Sequence, residues 1–491
     1  MIKISDAVVK KQENFWNGCL FHPTDAIEDP WGKRILDRMA ADGSIHTVRI
    51  YTMFEDILYL DEHGALQYDF RVSDLRLDYM IEKGYNLLLA YGGMPDCIAR
   101  TTQNKTSVSF NKTRYKGKMW NSAPPKDYAL WEEVCYQYTK HIVERYGLER
   151  VSQWHMQCFN EADIPWFFMS ELPPEAHQER LVEYCKLYEA FERGIRKVSD
   201  DILIGGPALA TFHEFLGGWL DHVREKQLKL DFISVHNYGM EPPQFYENKK
   251  IAVSNNVQNH LKHLATIKEH GFENTPIIID EWGMASGGFV NRSVCAELMR
   301  RETEVFSAYF AKLIHHFIYH KFNVKQMLIC LSGQHEMTED FTGFRNFFTL
   351  NFIAKPIYNA YILASKLKGY LLDAAVDNEN VFMVPTKDEK DNYAVLLTYA
   401  SEHLEEDIPT IEETVTFETS IKDKQVTMWC IDKKTTNPCR LYEKLGIEQP
   451  TEEQIRLLQE EGRLKPVFVG TGVDEIKLEL SPNATYLITV E

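Results

Sequence analysis

The sequence predicts an α/β protein: a (β/α)8 TIM barrel followed by an accessory C-terminal β-sandwich. Three observations point there. Eight short apolar stretches recur between Trp16 and Leu331, most of them separated by segments with helical spacing. Two of these stretches end in a glutamate, Glu161 and Glu281, and a barrel gathers its reactive groups at strand ends of one face. Past Leu372 the helical spacing gives way to short strand-like runs with polar connections. At 491 residues the chain exceeds one ordinary core. Residues 15–365 are assigned to the barrel, and residues 1–14 with 366–491 to the sandwich.

Taken in order, the polar first dozen residues suit an edge strand of the second domain. Trp16 to Phe21 reads as the first barrel strand, and His46–Tyr51, with its β-branched residues, as the second. A helix through Leu75, Met80 and Ile81 stops at Gly84, a C-cap residue. Asn86–Tyr91 is continuously apolar after its first residue, as a parallel strand covered on both faces should be. Thr101 to Pro125 is long and polar for a connection. Asp127 then caps a helix in which Leu130, Val134, Tyr138 and Ile142 recur every fourth residue, ending at Gly147. The fourth strand is Trp154–Cys158, followed by a helix over roughly 175–198. Ile202–Pro207 and Asp231–His236 are the fifth and sixth strands, and a helix near 261–270 precedes the seventh, which ends at Asp280-Glu281. One long helix over roughly 292–320 leads to the eighth strand, Gln326–Leu331. In the tail, residues 381–384, 393–398, 426–431 and 486–490 read as strands. One helix intervenes, opened by a Thr451/Gln454 capping box and closed near Gly462.

Composition narrows the class. A formal net charge of -18 argues against nucleic acid and anionic membranes as partners, since both call for clustered Lys and Arg. No stretch is long and apolar enough to span a bilayer, and the first residues lack the apolar run of a signal peptide, so a cytoplasmic location is expected. The nine cysteines are scattered, without a Cys-x-x-Cys pair, which suits a reducing compartment. Asn104-Lys105-Thr106 and Asn111-Lys112-Thr113 match a glycosylation triplet that arises readily by chance.

Cutting a glycosidic bond needs one carboxylic acid to protonate the leaving oxygen, and a second carboxylate to attack the anomeric carbon or activate water. Glu161 and Glu281 are the candidates. Asn160 is placed to hydrogen-bond a sugar hydroxyl. His236 and Tyr238, ending the neighbouring sixth strand, suit holding a carboxylate by a charge-assisted hydrogen bond. Trp282 offers a flat apolar wall.

These residues carry a resemblance to glycoside hydrolase family 39, the β-xylosidase and α-L-iduronidase family. Its segments run in the same order through nearly the whole chain: Tyr91-Gly92-Gly93-Met94-Pro95, Asn121 to Pro125 with Asp127-Tyr128, Phe159-Asn160-Glu161, Gly205-Gly206-Pro207-Ala208, Ser234 to Tyr238, Asp280-Glu281-Trp282 and Lys355-Pro356. Ile431-Asp432, Asn437-Pro438 and the helix from Pro450 resemble the accessory sandwich of the β-xylosidase branch. The resemblance implies a retaining, two-step, metal-free hydrolase without a cofactor, acting on an oligosaccharide or glycoside such as a β-xyloside. By the same carry-over, Glu161 matches the acid/base, Glu281 the nucleophile, and Asn160, His236, Tyr238 and Arg49 the residues that bind sugar or orient the carboxylates. The chain departs from the family pattern at Tyr51, where His is usual, at Ala162, where Pro is usual, and across Leu331–Glu336, where Glu336 is a candidate sugar-binding acid. These positions bear on which sugar is bound.

Other chemistries fit less well. His315, His316 and His320 lie on one predicted helix, but 315 and 316 cannot share a face. His335-Glu336 lacks the second histidine of a zinc-protease helix, Ser332-Gly333 is no nucleophile elbow, and no Gly-rich phosphate loop follows a strand. A transglycosidase using the same pair, and a non-catalytic glycan-binding barrel, are the alternatives.

Overall fold

The computed structural model describes residues 1–21, 30–106, 120–240, 251–288, 290–331, 337–403 and 408–491. Eight parallel strands close into a barrel: β1 (Gly18–Leu20), β2 (Thr47–Tyr51), β3 (Asn86–Tyr91), β4 (His155–Cys158), β5 (Leu203–Leu209), β6 (Phe232–Tyr238), β7 (Ile277–Gly283) and β8 (Val324–Cys330). Neighbours in sequence are neighbours in space, and β8 pairs with β1 to close the ring. Leu88, Phe232, Ile278 and Leu328 form a small apolar cluster of their own within the ring, apart from the larger core that the surrounding helices complete. Helices Tyr128–Tyr146 and His177–Arg196 pack side by side over β3 and β4. The Asp127 side chain accepts from the Ala129 N–H as a cap, and Gly147 ends the first of them with a φ of 84° that suits glycine. Helices Pro30–Asp42, His213–Lys226 and Pro356–Ala364, none of them expected from the sequence, complete the outer layer.

Two expectations about the frame need correction. The segment expected as one helix over 292–320 is divided: a 3-10 helix, Ala296–Glu302, then an α-helix, Glu304–Tyr319. The break falls at Thr303, in extended conformation, because Arg301 and Glu302 turn inward to bond loop backbone. The helix expected near 261–270 starts earlier and runs Val253–Glu269.

The tail forms a nine-stranded, mostly antiparallel sheet. Tyr370–Val376, Ile411–Phe417, Pro466–Gly470 and Glu475–Leu480 join the four strands expected from sequence. Ile2–Lys11 belongs to this sheet and is an edge only in part: Ile2–Ile4 pair antiparallel with the Tyr370–Val376 strand and parallel with Ile411–Phe417, whereas Val8, Lys10 and Lys11 pair with Leu372, Leu371 and Tyr370 alone. Its polar stretch is long because register shifts between Ile4 and Lys10 free it from continuous pairing. One apolar core collects Ile2, Ile4, Val395, Leu397, Val415, Ile476, Leu478 and Ile488, so the sheet folds over on itself as a sandwich. The capping box of Thr451 and Gln454 is present. Helix Glu304–Tyr319 joins the two halves: Lys312 Nζ reaches the Ser401 carbonyl, and the His315 imidazole lies 2.7 Å from that of Met383.

Candidate active site

The site is assembled from the ends of β2, β4, β6 and β7 around Arg49, which is fully buried. Its Nε donates to Gln157 Oε1 at 2.8 Å, one terminal nitrogen to Glu281 Oε1 at 2.8 Å, and the other to Asn160 Oδ1 at 2.6 Å. Asp280 Oδ2 lies 3.1 Å from the same guanidinium and accepts from Gln157 Nε2 at 2.7 Å. Successive residues of a strand normally face opposite ways, yet Asp280 and Glu281 both meet Arg49. The pairing of β6 with β7 explains it. Val235 opposes Ile279 and His236 opposes Glu281, so Asp280 is an extra residue at a bulge.

Glu161 is presented by a strained corner at the end of β4. Phe159 and Glu161 both take left-handed backbone conformations, at φ 63° and 45°. For non-glycine residues such conformations cost about 1–3 kcal/mol each and persist only where surroundings fix them. The fixing bonds are present: Phe159 N–H to the Tyr91 carbonyl, Glu161 N–H to that of Ala208, and three backbone N–H groups of residues 210–212 to the buried Asp163 carboxylate. The Glu161 side chain is 16% exposed, whereas that of Glu281 is 8%.

Both carboxyls share His236. Its Nδ1 is 2.8 Å from Glu161 Oε1, and its Nε2 is 3.5 Å from Asp280 Oδ2 and 3.7 Å from Glu281 Oε1. Tyr238 donates its hydroxyl to Glu281 Oε2 at 2.7 Å. One oxygen of each glutamate and one His236 nitrogen all lie within 4.8 Å of one another. That spacing would also suit a divalent cation, but the positive charge beside these carboxylates is already supplied by Arg49 and His236.

The two carboxyls titrate in opposite directions. Burial pushes Glu281 up, but the charges of His236, Arg49 and Arg345 and the Tyr238 hydrogen bond outweigh it and hold Glu281 below the usual carboxylate range. Burial also pushes Glu161 up; the charge of Glu281 adds to this, and the His236 contacts oppose it without prevailing. Burial alone would strip His236 of its proton, and the negative charges of Glu281 and Asp280 raise it well above the ordinary histidine value instead.

Of the other expected residues, Asn160 is fully buried and its Nδ2 has no partner among the described residues. Tyr51 is buried edge-on to Trp120, with the Arg49 guanidinium 5.2 Å from its ring. Trp282 is not at the cavity wall. Its indole is fully buried behind β7, stacked on Phe310 and donating to the Tyr361 hydroxyl. With Glu281 facing in, the next residue faces the helices. Glu336 lies outside the described residues. Three participants were not singled out from sequence: Gln157, Asp280 and Arg345. A glutamine inside the apolar fourth strand, and an aspartate beside Glu281, were visible signals; Arg345 had none.

A parallel barrel that brings two carboxyls to this distance, with pKa values pushed apart, defines a glycosidase working by double displacement. Comparison of the whole chain gives the family. The model described as glycosyl hydrolases family 39 matches residues 1–468, and the chain belongs to that family, whose members are retaining glycoside hydrolases. A β-xylosidase of Caldicellulosiruptor saccharolyticus is 23% identical over 518 residues, covering 98% of this chain and 96% of its own. An α-L-iduronidase of Mus musculus is 26% identical over 255 residues, covering 48% of this chain and 34% of its own. A solved GH39 β-xylosidase from Caulobacter crescentus shares the fold with a TM-score of 0.81 at 20% identity, covering 100% of this chain and 99% of its own.

Proposed function

We propose that this chain hydrolyses a β-xyloside or closely related glycoside, with Glu281 as nucleophile and Glu161 as acid/base. The observation that carries the assignment is that one oxygen of Glu161 lies within 4.8 Å of one oxygen of Glu281. Retaining pairs sit about 5–5.5 Å apart, and inverting pairs, which must admit a water, about 6.5–9.5 Å.

The electrostatics push the two groups apart in the directions this chemistry needs, Glu281 towards its ionised form and Glu161 towards its protonated one. Glu281, ionised, attacks the anomeric carbon and forms a glycosyl ester. The bond to the leaving oxygen breaks as Glu161 delivers its proton there. Esterification removes the Glu281 charge, one of the causes that raised Glu161. Glu161 then falls back towards an ordinary carboxylate and accepts a proton from the water that cleaves the ester, freeing Glu281. Asn160, its Oδ1 fixed by Arg49, keeps Nδ2 for a sugar hydroxyl. Tyr51 is buried close enough to both glutamates to feel their charge.

The β-xylosidase relatives support β-xyloside as the first substrate to try; of the departures from the family pattern, Tyr51 lies beside the glutamates, whereas Ala162 is buried in the apolar core. On this reading residues 15–365 carry the chemistry, and 1–14 with 366–491 the accessory sheet. A reducing, cytoplasmic setting is supported by nine unpaired cysteines. Among the described residues no helix is long and apolar enough to cross a membrane.

The test is a panel of aryl β-xyloside, α-L-arabinoside, β-glucoside and α-L-iduronide, with the first-formed anomer of any sugar released followed by NMR. Fastest turnover of the β-xyloside with retained configuration is expected. Inversion, or transfer to a second sugar as the main outcome, would overturn the proposal.

A further inference from the structure

We propose that Arg345 is a positioning residue for the nucleophile: its guanidinium fixes the phenol that holds Glu281, and a buried polar clamp fixes the backbone that presents Arg345. The inference rests on the reading of Glu281 as nucleophile and deepens it.

The chain of contacts is short. Arg345 donates to the Tyr238 hydroxyl oxygen at 2.6 Å, and that hydroxyl donates to Glu281 Oε2 at 2.7 Å. The guanidinium carbon is 5.3 Å from the Tyr238 ring centroid. A phenol has one proton to give. With a cation on its lone pair, the proton is directed at the carboxylate and the O–H is polarised, so the second bond is strengthened by the first. Oε1 of the same carboxylate is held by Arg49, so each oxygen of Glu281 answers to one arginine, directly or through a phenol.

Arg345 belongs to no helix or strand, and a loop arginine ordinarily loses much rotamer freedom to hold one pose. Here the loop is locked first. The Gly343 carbonyl accepts from Arg301 at 3.1 Å, its N–H donates to Glu302 at 2.6 Å, and the Phe344 carbonyl accepts from Lys355 at 2.9 Å. Lys355 and Glu302 pair at 2.8 Å with side chains 1% exposed each. Arg301 also takes the carbonyls of Ala285 and Gly287, just past β7, so one guanidinium ties the segment following Glu281 to the segment carrying Arg345. Gly343 has φ 90°, and a Cβ there would lie 3.1 Å from Leu298, so no other residue fits without strain. Buried ion pairs seldom stabilise a fold better than apolar packing does. Three buried charged groups on the backbone of Gly343 and Phe344 therefore serve placement.

The groups facing Glu281 are Arg49 and Tyr51 from β2, Glu161 from the corner after β4, His236 and Tyr238 from β6, Asp280 from its own strand, Cys330 from β8 and Arg345. The experiment is a double-mutant cycle of Arg345→Met and Tyr238→Phe, with Arg345→Lys beside it. The rate-versus-pH profile is measured on an aryl β-xyloside, and folding is checked by circular dichroism. Arg345→Met alone should lower kcat/KM by about tenfold or more and move the acid limb to higher pH. In the Tyr238→Phe background the same change should cost less than about threefold. Arg345→Lys should restore the acid limb but not the full rate, because a point charge does not reproduce the planar fork. Additive losses, or an acid limb unmoved by Arg345→Met, would overturn the relay. Should Arg345→Met not fold, the additivity of the cycle built with Arg345→Lys decides: rate losses that simply add to those of Tyr238→Phe overturn the relay. Glu281→Ala separates the two layers: turnover in that variant removes the nucleophile assignment. An inactive Glu281→Ala with an additive cycle removes the relay only.

Discussion

Arg49→Met tests the electrostatic frame most directly. The substitution nearly preserves side-chain volume, so the cavity contribution is small and the loss is mainly of charge and hydrogen bonds. Arg49 makes three hydrogen bonds of 2.6–2.8 Å and a 3.1 Å contact to Asp280, all with fully or nearly fully buried partners. Removing one side of a buried ion pair typically costs about 3–5 kcal/mol. Asp280 retains Gln157 at 2.7 Å and His236 at 3.5 Å, so the low end, about 3 kcal/mol, is expected at pH 7. The pH dependence has a definite sign. Asp280 and Glu281 are both held below their ordinary values of 3.8 and 4.5. Stabilisation from ionised carboxylates with depressed folded pKa values is complete above those ordinary values and is lost as pH falls through the folded ones. The deficit of the variant should therefore be full at pH 7 and shrink below about pH 4. In kinetics, Glu281 loses a cation and Asn160 its anchor, so the acid limb should move up and kcat/KM fall by about 10²–10³. Thermal melts across pH and a kcat/KM profile are the assays. A variant of wild-type stability with an unmoved acid limb would show that Arg49 does not hold the carboxylates as described.

Three further outcomes follow from the same site. Glu281→Ala should abolish turnover with the fold intact, and added azide should restore release of an activated aryl leaving group by taking the vacant position. Glu161→Gln should cost poor leaving groups about 10²–10⁴ and activated ones far less, since only the former need the proton; equal losses on a leaving-group series would count against the acid role. Acid unfolding should be steep for a separate reason. Burial holds His155, His315 and His316 down to about 4 and His260 to about 3. Unfolding then takes up protons as pH drops from about 6.5, so stability is intact above that value and declines towards pH 4. His260 packs on Phe317 and Phe322, and His260→Phe should flatten the slope of Tm against pH over that window. An unchanged slope would mean that this ring does not contribute.

How much of this was legible depends on where a residue sits. Glu161, Glu281, His236 and Tyr238 stand at the ends of strands, and a strand of a barrel has one inner and one outer parity, so its apolar run announces which end residues face the cavity. Trp282, next in line to an inward Glu281, faces the helices by that same alternation; what nothing in Pro276–Trp282 marks is the bulge that also turns Asp280 towards Arg49. The polar first dozen residues suit an edge strand, and pairing on both sides at Ile2–Ile4 leaves no trace in such a sequence. The expected helix over 292–320 rested on spacing, which cannot tell that Arg301 and Glu302 turn into the protein.

Arg345 marks the limit of such inference. Its partner lies 107 residues upstream, it follows no periodic element, and an arginine between Phe344 and Asn346 carries the signal of any loop arginine. Arg49 is also far from Glu281 in sequence, by 232 positions, yet a charged residue interrupting a β-branched strand is conspicuous because burying it requires a reason. A loop imposes no such requirement. What distinguishes Arg345 is the layer beneath it. Arg301, Glu302 and Lys355 are charges withdrawn from water to hold the backbone of Gly343 and Phe344, and that cost makes sense if the position of the next side chain matters to within a hydrogen bond's tolerance. The information is therefore present in the chain, but spread over four charged residues, and only the folded arrangement brings it together at Glu281.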